Sequence, residues 1–303
     1  MTHSLRSNTV AGVQIGHWTS KTIPTGCTVL LFDALSPAYV DVRGGAPGTR
    51  ETDLLAFGRT VKAVDAILLS GGSAFGLAAA DGIMTFLAEQ KRGYATSVLP
   101  VPIVAAAVIF DIRSESDERP SALSGYEAVS QALPMPEQFA GRVGAGAGAT
   151  FQKLWGPTHV RPGGIGIATV HTPHGAVSAV VVLNASGAST QQHPIGLAHD
   201  QPVLSRVDLL SRRQSIGNRE STTIGAIVVQ GPSDDTLLER CAVGAHDGLA
   251  RMIVPSHTVH DGDLFFAVGP QPASPDRSAY LSLPVAAELA VEQAIANVVA
   301  LPL

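Results

Sequence analysis

The chain has little of several features that mark whole classes of protein. Only two of its 303 residues are cysteine, Cys27 and Cys241, and they lie far apart and outside any CxxC spacing. This usage favours free thiols in a reducing compartment over a disulfide framework, so we expect a cytoplasmic protein. Charged residues make up 15% of the chain, whereas hydrophobic residues make up 45%. That balance excludes a disordered chain, because disorder requires low hydrophobicity and high net charge.

Clusters of basic residues and long apolar runs are also missing. The formal net charge is −5, and no run of Lys and Arg is longer than Arg212-Arg213. We therefore expect no nucleic-acid partner and no binding to an anionic membrane. The most apolar stretch, residues 98–110, contains Pro100 and Pro102 and is shorter than the ~20 residues that a membrane span needs. The first residues lack the apolar segment of a secretory signal.

Strand-like runs rich in Val and Ile dominate the rest of the chain. They predict strands at residues 26–32, 39–43, 64–70, 101–112, 165–171, 176–183, 223–230 and 264–268. Apolar residues at three and four spacing predict helices at residues 73–90, 121–133, 233–253 and 286–299. The four-residue link 172–175 is typical of an antiparallel hairpin. Antiparallel strands with helices packed outside them predict a layered α/β sandwich, which we assign to a single domain.

One polar, aperiodic segment departs from this pattern. Residues 185–221 form a linker of about 37 residues, whereas connections inside a domain mostly have about 4 to 6. The linker ends at Ser221, and Thr222 and Thr223 then lead into an apolar strand. A Thr at this place suits an N-terminal nucleophile that self-cleavage releases. From spacing alone, a β-branched residue that merely opens a strand is the simpler interpretation.

The glycine-rich segments do not predict a nucleotide cofactor. Residues 144–148 do not complete a GxGxxG motif, and GxxxxGK[ST] does not occur in the sequence. The segment at residues 70–76, SGGSAFG, lies between a predicted strand and a predicted helix. Its amides either face a small anionic or carbonyl group or form a tight structural turn. Gly71, Gly72 and Ser73 are therefore candidates for a substrate pocket.

The histidines raise the possibility of a metal site, and two acidic residues that are close in sequence raise the possibility of an acid pair. The ten histidines accompany no HExxH or CxxC motif, so we expect no catalytic metal and no cofactor. Asp261 and Asp263 flank Gly262 at the entry of a predicted strand. Paired acids beside a polar pocket set the protonation of a neighbouring amine or hydroxyl. A solvated Asp-Gly turn is the competing interpretation.

Motifs in order along nearly the whole chain resemble one enzyme family. They are GHWT at 16–19, TGCT at 25–28, DVRGGAPGTR at 41–50, GGSAFGL at 71–77, GAG at 144–146, VLN at 182–184, TTI at 222–224, AHDGLAR at 245–251, and HT at 257–258 leading to DGD at 261–263. Together they resemble the L-aminopeptidase/D-amidase-D-esterases, β-peptidyl aminopeptidases and the endo-type nylon-oligomer hydrolase. The resemblance implies an αββα layered fold, similar to N-terminal nucleophile hydrolases but with different strand connectivity.

The resemblance also implies a precursor that cuts itself once. The cleaved bond would lie between Ser221 and Thr222, giving fragments 1–221 and 222–303, with Thr222 as the nucleophile. Asn184 would stabilise the oxyanion of the tetrahedral intermediate. Three further positions match residues around the nucleophile and would orient its amine and hydroxyl: Lys153, Asp261 and Asp263.

Two positions differ from the family pattern and keep alternatives open. Ser221 stands where the family usually has Asn or Gly, so Ser221 itself is an alternative nucleophile. Phe110, a candidate for the substrate pocket, stands where the nylon-hydrolase branch has Tyr, so nylon-oligomer hydrolysis does not follow from the resemblance.

The function that the sequence favours is a self-processing amide hydrolase. It would act as an aminopeptidase or amidase on short peptides, amides or esters through an acyl-enzyme on Thr222, as a homo-oligomer of processed protomers. The alternatives are acyl transfer of the ornithine-acetyltransferase type and an unprocessed, non-catalytic protein that binds small molecules.

Overall fold

The computed structural model describes residues 9–114, 118–190 and 221–302. Its strands are β1 Thr9–Thr19, β2 Gly26–Val42, β3 Thr49–Arg50, β4 Ala63–Ser70, β5 Val104–Val108, β6 Leu133–Pro136, β7 Phe139–Gly141, β8 Thr150–Phe151, β9 Arg161–Pro162, β10 Gly164–Thr172, β11 Gly175–Leu183, β12 Ala188–Ser189, β13 Ile224–Gln230, β14 Ile253–Val254 and β15 Leu264–Val268. Its α-helices are α1 Ala79–Glu89, α2 Ala122–Ser130, α3 Asp235–Met252 and α4 Ala279–Val299. Short 3₁₀ turns include Ser73–Ala78 and Lys153–Trp155.

The long strand β2 belongs to two sheets at once. Its first part pairs with β1 and β4, and its last residues pair with β15. The first sheet has the order β3-β5-β4-β2-β1-β6, and the second has the order β2-β15-β13-β11-β10-β7. The two sheets therefore fold over each other as a sandwich whose halves share one strand.

Buried side chains fill three layers of this sandwich. Between the sheets, Leu30 and Ile67 of the first sheet pack in one cluster with Val180 and Phe266 of the second. Helices α1 and α2 cover the outer face of the first sheet, and α3 and α4 cover the outer face of the second. Because both faces of the central strands are buried, their sequences read as continuous apolar runs. The αββα architecture predicted from the sequence is confirmed.

Several strand boundaries differ from the sequence prediction. Strand β1 was missed because an irregularity between Thr9 and Gln14 interrupts its alternation, so the buried Val10, Val13 and Ile15 do not follow a period of two. The two strands predicted at 26–32 and 39–43 are one strand, β2. The strand predicted at 101–112 is β5 alone and begins after Pro102, which has no N–H for a strand ladder. The hairpin between β10 and β11 turns through two residues rather than four, because Thr172 pairs with Gly175.

Two helices and the linker also need correction. The segment predicted as one helix at 73–90 is a 3₁₀ turn followed by α1, and α4 begins before residue 286 and contains Pro284. The linker predicted at 185–221 is ordered at its start, where β12 pairs with β14. Its residues 191–220 lie outside the described residues. Within the described ranges, no helix is long and apolar enough to cross a membrane.

Helices α1 and α2 touch through glycines, and this contact predicts a stability effect. An added Cβ at Gly125 would lie 1.9 Å from the carbonyl oxygen of Ala79. We expect Gly125→Ala to lower the free energy of unfolding by about 1–3 kcal/mol through overpacking, although Ala is the better helix former. Urea unfolding measures this, with Leu123→Ala in the same helix, 66% exposed, as the near-neutral control. Equal stability of Gly125→Ala and the parent protein would contradict the close approach.

Candidate functional site

Three strand ends of the second sheet meet at one edge. Strand β11 runs antiparallel to β13, and β13 runs parallel to β15. The carboxyl end of β11 therefore lies beside the amino ends of β13 and β15. Asn184 follows β11, Thr222 precedes β13, and Asp263 precedes β15. Sheet topology thus brings together residues that the sequence spreads over 80 positions.

The peptide bond between Ser221 and Thr222 is buried at this edge. Thr222 is 6% exposed, and its Oγ1 donates a hydrogen bond of 2.5 Å to the Ser221 carbonyl oxygen. The Gly262 N–H donates to the same carbonyl oxygen at 2.9 Å and to Thr222 Oγ1 at 3.2 Å. A Cβ at residue 262 would lie 2.8 Å from Thr222 Oγ1, so only glycine allows this approach. A hydroxyl and a backbone N–H therefore both contact one carbonyl oxygen, and donors placed in this way can stabilise negative charge that develops on it.

Asn184 connects Lys153 with the Thr222 nitrogen. Lys153 Nζ donates to Asn184 Oδ1 at 2.9 Å and to the Asn184 backbone oxygen at 3.4 Å. The Thr222 N–H donates to that same backbone oxygen at 2.7 Å. The Asn184 side-chain amide donates to the Phe110 carbonyl at 3.3 Å, and the Thr150 N–H fixes its Oδ1 at 3.0 Å. A buried lysine and the Thr222 nitrogen consequently share one acceptor.

Asp261 is a buried carboxylate and not part of a solvated turn. It is 1% exposed and accepts hydrogen bonds from the Ser186 N–H at 3.2 Å and from the Thr258 N–H at 3.0 Å. The Thr258 hydroxyl adds a bond of 2.5 Å. Burial and, to a smaller extent, the charge of Asp263 raise the pKa of the Asp261 carboxyl. The competing interpretation of an exposed Asp-Gly turn is therefore wrong.

Asp263 is equally buried and faces the start of β13. Its Oδ1 accepts the Thr223 N–H at 2.7 Å, one residue after Thr222. Its Oδ2 accepts both the backbone N–H and the ring Nδ1–H of His257, each at 2.9 Å. Asp263 is 1% exposed, and two backbone N–H groups and one histidine ring donate to its carboxylate. These hydrogen bonds offset the free-energy cost of burying its charge.

The glycine-rich segment that follows β2, residues 43–46, hydrogen-bonds to the backbone of Asp261 and Asp263. The N–H groups of Arg43 and Gly44 donate to the Asp263 carbonyl oxygen at 2.9 and 3.0 Å, and the Ala46 N–H donates to the Asp261 carbonyl oxygen at 2.9 Å. A Cβ at Gly44 would lie 2.2 Å from the Asp263 nitrogen. The motif therefore needs glycine because two backbones meet there.

An open cleft of about 280 Å³ adjoins Lys153. It is lined by Phe110, Asp111, Ile112, Arg113, Gly148, Thr150, Lys153, Pro157 and Val160. Phe110 and Thr150 also contact the Asn184 side chain, so the cleft opens next to the Asn184 amide. Its position fits a substrate entrance, and the role predicted for Phe110 in substrate binding stays a prediction.

Residues Gly71, Gly72 and Ser73 form a structural turn whose amides are already bonded. Their N–H groups donate to the Gly26 carbonyl at 2.8 Å, to Asp111 Oδ1 at 2.7 Å and to the Ile109 carbonyl at 2.9 Å, respectively. The interpretation of these amides as donors to a bound anion or carbonyl group is therefore wrong. The three residues do not line the cleft, and their contact with substrate stays a prediction. Burial raises the pKa of Asp111, which lines the cleft and holds Gly72.

The structure thus collects Thr222, Asn184, Lys153, Asp261 and Asp263 around one peptide bond. Sequence reasoning missed two neighbours, the Gly262 N–H and the His257 ring. Gly262 was visible only as the spacer between two acids, and its role comes from the backbone. In the described part of the chain, no three His, Cys, Asp or Glu side chains lie close enough to hold a metal ion.

Comparison with curated proteins identifies relatives of this chain. Curated relatives include an uncharacterized aminopeptidase from Mycobacterium leprae, 37% identical over 286 residues, which cover 86% of this chain and 76% of the relative. A 6-aminohexanoate-oligomer endohydrolase from Kocuria sp. is 31% identical over 280 residues, covering 85% of this chain and 72% of that enzyme.

Solved structures share the fold. A β-aminopeptidase from Burkholderia sp. matches 97% of this chain and 86% of its own with a TM-score of 0.72 and 22% identity. An L-aminopeptidase D-Ala-esterase/amidase from Ochrobactrum anthropi, described as a variant of the Ntn hydrolase fold, covers 96% of this chain and 85% of its own with a TM-score of 0.71 and 17% identity. The sequence profile of peptidase family S58 matches residues 8–301, and the chain therefore belongs to peptidase family S58.

Proposed function

We propose that this S58 peptidase is a self-processing amide hydrolase that cuts its own Ser221–Thr222 bond and then uses Thr222 as an N-terminal nucleophile. One observation carries the proposal: the Thr222 hydroxyl lies at the carbonyl of the preceding residue, and the Gly262 N–H contacts both groups. The names of the relatives, aminopeptidase and 6-aminohexanoate-oligomer endohydrolase, support an action on amide bonds.

Self-cleavage begins with attack of Thr222 Oγ1 on the carbonyl carbon of Ser221. The Gly262 N–H, 2.9 Å from the carbonyl oxygen, stabilises the negative charge that develops there. The carbon–nitrogen bond then breaks, and the hydroxyl proton passes to the leaving nitrogen. Water hydrolyses the resulting ester, which frees the Thr222 hydroxyl and leaves Thr222 with an α-amine.

That α-amine supplies the base for hydrolysis of substrates. An α-amine has a reference pKa of about 7.7 to 8.0, so near neutral pH it can accept the proton of the hydroxyl on the same residue. Lys153 shares the Asn184 carbonyl with the Thr222 nitrogen, and its positive charge favours the neutral form of the amine. Asp261 and Asp263 oppose this effect, so the balance of charges sets the pKa of the base.

Asn184 is suited to hold the oxyanion of the substrate. One N–H of its amide donates to the Phe110 carbonyl, and the other makes no hydrogen bond to a described residue. Lys153 and the Thr150 N–H fix the amide through its oxygen, so the nitrogen points away from both. An amide held in this way stabilises negative charge without rearranging during the reaction.

The lining of the cleft favours short substrates that carry an apolar side chain. Apolar groups of Phe110, Ile112, Pro157 and Val160 line it together with Lys153. Phe110 offers a ring without a hydroxyl. Aminoacyl p-nitroanilides with Leu or Phe side chains are therefore the first substrates to test.

Self-cleavage predicts two fragments on a denaturing gel. The fragment 222–303 holds 82 of the 303 residues, so we expect about 8 kDa and about 23 kDa from the 31.2 kDa chain. Intact-mass analysis locates the cut. A single uncut chain with full activity after long incubation would contradict the proposal.

Removing the Thr222 hydroxyl should abolish both self-cleavage and the hydrolysis of substrates. We expect Thr222→Ala to remain uncut and inactive, whereas Thr222→Ser keeps part of each activity because a primary hydroxyl can still attack. Ser221→Ala is the matched control one residue away and should still cleave. If Ser221→Ala were inactive while Thr222→Ala retained turnover, the nucleophile would be Ser221.

Replacing Asn184 by Ala should lower kcat more than it raises KM. An oxyanion donor acts mainly in the transition state, and losing one typically costs about 2.7–4 kcal/mol, a rate loss of about 100-fold to 1000-fold. Steady-state kinetics on processed protein measures this. An unchanged kcat would place the oxyanion elsewhere.

Removing one negative charge from the acid pair should shift the pH–rate profile. In Asp261→Asn or Asp263→Asn, the Thr222 amine loses a neighbouring negative charge, so its pKa falls and the acidic limb of kcat/KM moves to lower pH. Asp33→Asn, which changes an exposed carboxylate on β2, is the matched control and should leave the profile unchanged. Identical profiles in all variants would show that the pair does not act on the base.

A further inference from the structure

His257 has an unusual backbone conformation beside the proposed active site. Its φ of 55° lies in the left-handed region, which residues other than glycine seldom adopt. This conformation turns both its backbone N–H and its ring Nδ1–H towards Asp263 Oδ2, each at 2.9 Å. Strained backbones of this kind persist where surrounding contacts hold them, and they cluster at functional sites.

The two hydrogen bonds from His257 orient the Asp263 carboxylate, whose other oxygen contacts the start of β13. With Oδ2 held by His257, Oδ1 of Asp263 accepts the Thr223 N–H at 2.7 Å. Thr223 is bonded covalently to Thr222, so this carboxylate helps to hold the residue next to Thr222 in place. Asp263 is 1% exposed, so water does not compete for these contacts.

Several ionisable groups surround the His257 ring. Asp263 lies in its own loop, and the ring of His246 from α3 stacks edge-on with a centroid distance of 4.7 Å. Asp41 near the end of β2 and Arg43 just after this strand act on the His246 ring, and the His246 Nε2–H donates to the Asp41 carbonyl at 3.0 Å. Burial lowers the pKa of His246 to about 4, so His246 is neutral near neutral pH. His246 therefore packs against the His257 ring without adding charge to it.

We propose that His257 is a positioning residue that acts through Asp263 on the Thr222 nucleophile. Its imidazole holds the Asp263 carboxylate in the one orientation that fixes the Thr223 amide, and it orients the charge that Asp263 presents to the Thr222 amine. This role rests on the proposed function of Thr222, and it assigns to His257 no contact with substrate.

The test uses substitutions that the left-handed backbone accepts. His257→Gly keeps the backbone N–H bond to Asp263 and removes only the ring, and His257→Asn keeps a side-chain donor. The matched control is His260→Asn in the same loop, because the described hydrogen bonds of His260 involve only its backbone. Processed proteins are compared with an aminoacyl p-nitroanilide across pH, and thermal unfolding monitors folding.

We expect His257→Gly to lower kcat by about tenfold to a hundredfold with KM changed by less than about twofold. The acidic limb of its pH profile should also shift, and His257→Asn should restore part of kcat. If His257→Gly folds but stays uncut, the substitution has slowed self-cleavage, and this outcome also supports the positioning role. Wild-type kcat and an unchanged pH profile in folded His257→Gly would overturn the proposal.

A measurement on the unsubstituted chain separates this proposal from the proposed function. The ¹⁵N NMR spectrum of the imidazoles should show His257 protonated at Nδ1, and Asp263→Asn should change that signal. A His257 ring protonated only at Nε2 would overturn the positioning role, whether or not the protein folds with residue 257 substituted. Absence of both cleavage and turnover in the parent protein would instead contradict the proposed function. The NMR spectrum would then still test the contact between the His257 ring and Asp263.

Discussion

The pairing of β11, β13 and β15 in one sheet is the constraint on which the site depends. Strand β11 is antiparallel to β13, and β13 is parallel to β15, so β11 ends where β13 and β15 begin. A register shift of one residue would exchange the side chains that β13 presents to the inter-sheet core, such as Val228, with those that it presents to the helix layer, such as Val229. The packing of two helix layers and the inter-sheet core therefore fix the positions of Asn184, Thr222 and Asp263.

Burial of charge at this edge is costly, and the surrounding backbone compensates for it. Asp261 and Asp263 are each 1% exposed, and amide donors from three segments reach their carboxylates. The glycines of residues 44 and 262 contribute by their lack of a side chain, which lets two backbones and the Thr222 hydroxyl meet. A site built from such close approaches is rigid before any substrate arrives, and rigidity lets its dipoles stabilise a transition state.

The elements that sequence patterns predicted best are those buried on both faces. Strands such as β11 and β13 are nearly continuous apolar runs, and their existence is evident from composition and length. Strand β1 and the continuity of β2 were missed, since polar residues and glycines within them are explained only by which sheet each part joins. The two-residue hairpin and the 3₁₀ turn before α1 were likewise decided by neighbours rather than by local preference.

For the site, the amino-acid sequence specifies which chemical groups are present: a Thr after a long linker, an acid pair, an amide and a lysine, recognised together through family motifs. Three further facts follow from the folded structure alone: the acid pair is buried, the Gly71–Gly72–Ser73 amides are already bonded, and the Gly262 N–H and the His257 ring lie beside these residues. The reason is physical. Backbone donors and long-range hydrogen bonds have no residue type of their own, so they arise only when strands distant in sequence pair in one register.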